Sequence, residues 1–284
     1  MKNLEKLELM AMQVRRDIIR QVAAVNSGHP GGSMSAADIM TALFFEVMNI
    51  DPASFTTEGN GEDMFFLSNG HISPVLYSVM ARRGYFPVND LATFRHFGSQ
   101  LQGHPTPAHG LNGIRIASGS LGQGLSVGCG VALAKKLNKD DKTVFVMMGD
   151  GELQEGQVWE AAAFATARAV DNLVAVVDMN NQQIDGTCEQ VLSQGSGSIG
   201  AKFEAFGWRV FEADGHNMEQ VVSTLHYAKD MASGKGRPVV ILFKTIMGRG
   251  VDFMENTNKY HGQATNAEQT VLALSQLKET LGDY

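Results

Sequence analysis

The sequence predicts a doubly wound α/β domain with a mainly parallel sheet flanked by helices. Three observations carry this. Thr143 to Met148 (TVFVMM) and Leu173 to Val177 (LVAVV) are short, β-rich apolar runs. Between them, Gly156 to Ala169 is Ala-rich and reads as a helix. Strand, helix, strand at this length is a βαβ unit, whose crossover is right-handed and whose strands run parallel. Pro238 to Thr245 (PVVILFKT) is a further apolar run that reads as a fully buried strand.

The remaining elements follow in order. Leu4, Leu7, Ala11, Val14, Ile18, Val22 and Val25 repeat at steps of three and four. That spacing predicts an amphipathic helix ending near Asn26-Ser27-Gly28. A second helix is expected from Ser33 or Ser35, where Ser35-Ala36-Ala37-Asp38 has the form of a capping box. It should bury Ile39, Leu43, Phe44 and Val47. Met64 to Leu67 reads as a short strand, and residues 74 to 83 as a helix. Residues 95 to 120 lack periodicity and are rich in Gly, His and Pro, so they read as a long functional loop. Leu121 to Leu137 is helical in composition yet carries Gly122, Gly124, Gly128 and Gly130. Each helical Gly costs roughly 1 kcal/mol relative to Ala, so the segment is either frayed or, as expected here, packed closely against another helix or a ligand. A polar loop over residues 182 to 200 leads to a helix near Ile199 to Phe206 and a strand at Trp208 to Glu212. Met218 to Ala232 reads as a helix, residues 248 to 264 as another Gly- and His-bearing loop, and the last 20 residues as a mostly polar helix. No internal repeat or linker divides the chain.

Composition narrows the function. The chain has 284 residues, 44% hydrophobic and 19% charged, as an ordinary globular domain does. A net charge of -7 without a basic block argues against nucleic-acid binding. The N-terminus has no signal-peptide core, and no apolar run approaches the roughly 20 residues of a membrane helix. Cys129 and Cys188 stand far apart and in no metal spacing, so both read as reduced thiols of a cytoplasmic protein.

The most informative stretch is Gly149-Asp150-Gly151, with Asn180 thirty residues on. Each part follows one strand of the βαβ unit, and neighbouring strands lie about 4.8 Å apart. Asp150 and Asn180 therefore reach the carboxyl edge of the sheet close enough to share one ion. A diphosphate held through a hard cation would use such a pair, because Mg²⁺ takes six oxygens in an octahedron. The two glycines let the backbone approach the phosphates, and the following helix offers its N-terminus to the anion. A plain strand-to-helix turn with an acidic cap is the bland alternative, which Asn180 at the matching edge argues against. His29, His71, His104 and His261 stand beside Gly or Pro in loops, as His109 and His216 also do. Histidine titrates near neutrality and suits proton transfer to sugar hydroxyls. Their spacing is not that of a zinc site. His96, His109, His216 and His226 read as surface or loop-packing residues.

Gly149-Asp150-Gly151 and Asn180 resemble the thiamine diphosphate motif. Ser27-Gly28-His29-Pro30-Gly31-Gly32, Leu67 to His71 (LSNGH), Gly103-His104-Pro105 and Gly119 to Gly124 (GSLGQG) stand in the order and spacing of transketolase. Gly149 to Gly156 (GDGELQEG) and Lys259-Tyr260-His261-Gly262 extend the resemblance over nearly the whole chain. It implies the thiamine diphosphate-binding fold, one such domain over residues 1 to 284, and ketol transfer between sugar phosphates. It further implies that Asp150, Asn180 and the backbone carbonyl of Gln182 hold Mg²⁺ or Ca²⁺. Gly151, the Gly119-Ser120-Leu121 turn and Asn180 would meet the cofactor diphosphate, and His71 and His261 the cofactor. His29 and His104 would contact the donor sugar, with His261 also facing substrate. Arg95 would line the substrate channel, and Glu155 would connect active sites at a subunit interface. Ser120 replaces a Pro of longer relatives, a change a backbone contact tolerates.

Full-length transketolases run to more than twice this length. Their next domain supplies the glutamate and the aromatic platform for the cofactor's pyrimidine ring. No counterpart follows His261, so the resemblance implies an N-terminal subunit of a split transketolase. Its partner would be a C-terminal subunit carrying the pyrimidine-binding domain, in an α₂β₂ assembly. Two alternatives stand beside it. A 2-oxo acid dehydrogenase α subunit or a deoxyxylulose phosphate synthase is disfavoured by the four loop histidines. A non-catalytic cofactor-binding protein is disfavoured because sugar-facing and metal-type residues are both present.

Overall fold

The structure is a computed structural model that describes residues 2 to 193 and 198 to 284. Its centre is a five-stranded parallel sheet in the order β1-β2-β3-β7-β6. These strands are β1 (Met64–Leu67), β2 (Val144–Gly149), β3 (Leu173–Met179), β6 (Arg209–Asp214) and β7 (Val239–Lys244). Val174 pairs with Phe145 on one side and Val239 on the other, which sets the register of the three central strands. Those strands are buried almost throughout, which explains their unbroken apolar sequences.

Alternation along each strand divides the core between two faces. Phe145, Met147, Val174, Val176, Val239 and Ile241 point to one side. They face α1 (Lys2–Ala24), α3 (Ala37–Ala42), α4 (Ser73–Arg83) and α9 (Met218–Met231). Val144, Val146, Met148, Leu173, Ala175 and Val177 point to the other. They face α5 (Gln123–Leu137), α6 (Gly156–Ala167) and α8 (Ile199–Ala205). Between β1 and β2 the chain lays α4 on the first face and then α5 on the second, and between β2 and β3 it lays α6 on the second. It then crosses to edge strand β6 and returns to β7 through α9 on the first. A right-handed crossover that reverses direction must change face. The doubly wound prediction therefore holds.

Three of the four glycines in the Gly-rich helix pack closely, but against loop and strand residues rather than the helix or ligand expected. A Cβ at Gly124 would lie 2.3 Å from that of Ser68, and one at Gly128 would lie 2.4 Å from Val146. Gly122 is left-handed, at φ +81°, against Glu155. Gly130 faces open space, so no close approach explains it.

Three sequence expectations need correction. The chain is already helical in α2 (Pro30–Ser35), and Ser35 caps nothing. Its hydroxyl donates to the Gly32 carbonyl and to Asp178, while Asp38 is taken by Arg15 and His216. The polar loop after Asn180 holds a hairpin, β4 (Gln182–Gln183) with β5 (Gly186–Thr187), and then α7 (Cys188–Leu192). Thr187 and Gln190 form a true capping box there. Residues 194 to 197 of that loop lie outside the described residues. The terminal helix, α10 (Ala267–Gln276), stops at Gln276. Beyond it the chain is pinned to α1, where Arg16 takes the carbonyls of Leu274 and Leu277 and pairs with Asp283. His216 takes the loop-packing role of the two that its sequence setting allowed. Its Nδ1 donates to Asp38 at 2.8 Å while its Nε2 accepts from the Ile246 amide at 2.8 Å.

Candidate active site

The parallel sheet sends the loops after β1, β2, β3 and β7 to one carboxyl edge. A cavity of about 410 Å³ lies there. Asp150, Gly151, Asn180, Gln182 and the backbone turn at Gly119 and Leu121 line it, with His29, His71, His261 and Glu155. A larger, open groove of about 970 Å³ beside Arg20 and Tyr284 contains neither carboxylate nor imidazole. Chemistry, not volume, identifies the site.

Asp150 begins one residue after β2 and is nearly fully buried. Its backbone N–H donates to the Asp178 carbonyl at 3.2 Å, which ties the ends of β2 and β3 together. Its carboxylate accepts from the backbone N–H groups of Gly151 and Asn181. Burial, and then the neighbouring Asp178, push the Asp150 carboxyl up to about 7. Such a carboxylate favours a cation. Asn180 follows β3 directly. Its amide nitrogen donates to Asp178 at 2.8 Å, and its oxygen accepts from Gln182 N–H at 2.9 Å. Among the described residues, no cluster of three or more His, Cys, Asp or Glu forms a self-sufficient metal cage. One carboxylate plus one amide suits a hard cation whose other oxygens come from a ligand or solvent. The donor set therefore fits the divalent metal and diphosphate that the sequence implied.

Two carboxylates not singled out from sequence hold this edge. Asp178, fully buried, accepts from Ser35, Thr245 and Asn180. Glu152 accepts from Ser68, from Gly122 N–H at 2.7 Å and from Gly149 N–H at 3.2 Å. It staples the turn before α5 to the turn after β2. The only signal for Asp178 in the sequence is an acid at the end of an otherwise apolar strand. Glu152 stands inside the GDGELQEG motif, but nothing local marks its role, because two of its three partners lie 30 and 84 residues away.

The histidines converge from four loops. Ring centroids of His29 lie 5.1 Å from His71, 5.7 Å from His261 and 6.2 Å from His104. Those of His71 and His261 are 5.1 Å apart. Burial lowers all four, first of all by desolvation, and brings His29 to about 4. Arg95 adds to the lowering at His29 and His104. The rings are neutral at pH 7, so each offers one N–H donor and one lone pair.

Three residues named from sequence stand outside the cavity lining. Ser120 is solvent-exposed between Gly119 and Leu121. His104 is exposed at the rim, beside Gly119. Arg95 sits behind it, at φ +58°, with Nη1 donating to Ser27 at 3.0 Å. Both cysteines are free and buried.

Comparison with known proteins gives the geometry a family. The family described as "Transketolase, thiamine diphosphate binding domain" matches residues 7 to 282. The chain is 37% identical to the 6-deoxy-6-sulfo-D-fructose transketolase subunit SqwG of Clostridium sp. (strain MSTE9), over 96% of each chain. It is 36% identical to an apulose-4-phosphate transketolase subunit of Phocaeicola vulgatus, over 98% of this chain and 95% of that one. The transketolase of Pongo abelii is 39% identical, but the chain spans only 40% of its length. The crystal structure of Pichia stipitis transketolase with sedoheptulose-7-phosphate superposes with a TM-score of 0.86 at 30% identity, over 95% of this chain and 40% of that one. The chain thus belongs to the transketolase family and carries its thiamine diphosphate-binding domain.

Proposed function

We propose that this chain is the N-terminal subunit of a two-chain transketolase. Assembled, the enzyme would move a two-carbon ketol unit from a ketose phosphate to an aldose phosphate. The observation that carries this reading is the meeting of the Asp150 and Asn180 pair with His29, His71 and His261 at one cavity, with His104 at its rim. The subunit names of two relatives that match almost end to end support a partner chain. That partner would carry the pyrimidine-binding domain, in an α₂β₂ assembly, and the free thiols support a cytoplasmic setting.

Asp150, Asn180 and the Gln182 backbone carbonyl would hold Mg²⁺ or Ca²⁺ against the diphosphate. Gly151 and the turn from Gly119 through Ser120 to Leu121 would supply backbone contacts. Thiamine diphosphate, when bound, supplies the electron sink for carbon–carbon cleavage. The chain's own groups bind, orient and move protons. His71 and His261 flank the cofactor side, and His261 reaches towards substrate. His29 and His104, with Arg95 behind them, face the sugar. A neutral imidazole both donates to and accepts from a hydroxyl, which suits a polyol substrate. Glu155, exposed beside Gly122, would meet the second active site across a subunit boundary.

Two variants test the reading. Asp150→Ala should weaken metal-dependent thiamine diphosphate binding by more than about a hundredfold, beyond what an outer-shell loss does. His261→Ala should lower ketol-transfer turnover by about 10²- to 10⁴-fold while leaving the unfolding temperature near wild type. Normal metal-dependent cofactor affinity by calorimetry in Asp150→Ala would sink the central assignment. Because named relatives act on 6-deoxy-6-sulfo-D-fructose and apulose-4-phosphate, the screen should include both beside common ketose phosphates.

A further inference from the structure

Asn69 has no assigned role, yet it lines the cavity wall with a buried, unpartnered polar atom. It follows β1 by two residues, and Ser68 N–H continues the ladder to the Met147 carbonyl at 2.9 Å. That places Asn69 beside the end of β2. Its flanks are fixed. Ser68 is held by Glu152 and accepts from Gly124 N–H at 2.9 Å. Gly70 abuts the backbone of Ser118 and Gly119 so closely that a Cβ would lie 2.8 Å from the Gly119 nitrogen. Asn69 is therefore wedged between the Gly119 turn and the Gly149-Asp150-Gly151 turn.

The side chain is 2% exposed, lines the cavity and caps no helix or turn. Its Oδ1 is buried and no described protein group donates to it. Its Nδ2 faces Gly149, 3.6 Å from where a Cβ there would lie. A buried amide without a partner destabilises a fold, and a leucine would fill similar volume without that penalty. The orphaned Oδ1 is an acceptor and does not itself call for an anion. Nδ2 does, because among the described residues it has no acceptor either and it lies beside Gly149 at the place where an anion is expected.

We infer that Asn69 is a further cofactor-binding residue, whose side-chain NH₂ donates to a non-bridging oxygen of the bound diphosphate. This rests on the diphosphate reading of the cavity. It makes Asn69 the side-chain counterpart of the backbone contacts on either side of it.

The test is calorimetric titration of the full chain with inorganic diphosphate in excess Mg²⁺, together with unfolding temperatures without ligand. Wild type, Asn69→Leu, Asn69→Ala and Asp150→Ala are compared. A lost hydrogen bond to a charged oxygen should weaken diphosphate binding about 10- to 100-fold in Asn69→Leu. The unfolding temperature of that variant should hold or rise. If leucine cannot be accommodated, Asn69→Ala should show the same loss of affinity. Undiminished affinity in folded Asn69 variants, with Asp150→Ala still defective, overturns the inference and leaves the site intact. A falling unfolding temperature with unchanged affinity would make Asn69 a structural amide only. Wild-type affinity in Asp150→Ala, or no magnesium-dependent uptake by wild type, brings down both readings.

Discussion

Asp150 sets the expected pH response of the cation site. Its carboxyl is raised to about 7 by burial first and by Asp178 second. A cation must displace that proton, so Mg²⁺ affinity should fall about tenfold for each pH unit below about 7 and level off above it. Calorimetry between pH 5.5 and 8 would reveal this slope, and a flat profile would contradict it. The same shift acts on the metal-free fold in the opposite sense. A carboxyl raised on folding holds its proton longer in the folded state than in the unfolded one, so stability declines as pH rises from about 4 towards about 7. Asp38 behaves differently, because Arg15 and His216 offset its burial and hold it at about 2. Its stabilising contribution is present above about 4 and is lost as pH falls through about 2. Two buried acids thus titrate in opposite directions because one has an arginine partner and the other waits for a ligand.

Helix α5 shows why a glycine must be judged by what faces it. Replacing an exposed helical Gly with Ala ordinarily stabilises by about 1 kcal/mol. At Gly130 the added methyl meets open space, so Gly130→Ala should raise stability by about that amount. At Gly128 it would lie 2.4 Å from Val146 in the strand below, so Gly128→Ala should lower stability by about 1 to 3 kcal/mol. Chemical denaturation of both variants would show opposite signs. Equal shifts would mean that α5 does not press on β2 at this point. The packing matters functionally because α5 begins at the Gly119 to Gly122 turn that Glu152 fastens to Gly149.

The whole chain covers nearly all of the two subunit relatives but about 40% of single-chain transketolases. On the two-chain reading proposed above, this chain holds half of the cofactor cradle and should be catalytically silent alone. The chain alone is expected to give no ketol transfer, and mixing with a chain that carries the pyrimidine-binding domain should restore it. A coupled ketol-transfer assay across mixing ratios checks this. Turnover by the unmixed chain would contradict the two-chain reading. The fold prepares its half rigidly: five parallel strands aim four loops at one edge, and the buried acids Asp178 and Glu152 lock those loops together.

The sequence by itself determined the sheet, the long helices and the chemistry of the edge. Buried parallel strands must be apolar throughout, and an amphipathic helix must repeat every three to four residues, so both are written locally. The Asp150 and Asn180 spacing was equally legible, because a βαβ unit brings the ends of its two strands together whatever else surrounds them. Tertiary structure alone decided the rest. Ser35 looked like a helix cap because its partner Asp178 lies 143 residues on. The last residues looked helical because their periodicity could not show that Arg16 and Gln13 would claim their polar groups. Asn69 looked like one letter of a motif until its unpartnered amide lay in the cavity wall. Hydrogen bonds between distant segments leave no periodic trace, because each needs only one donor and one acceptor that folding happens to join.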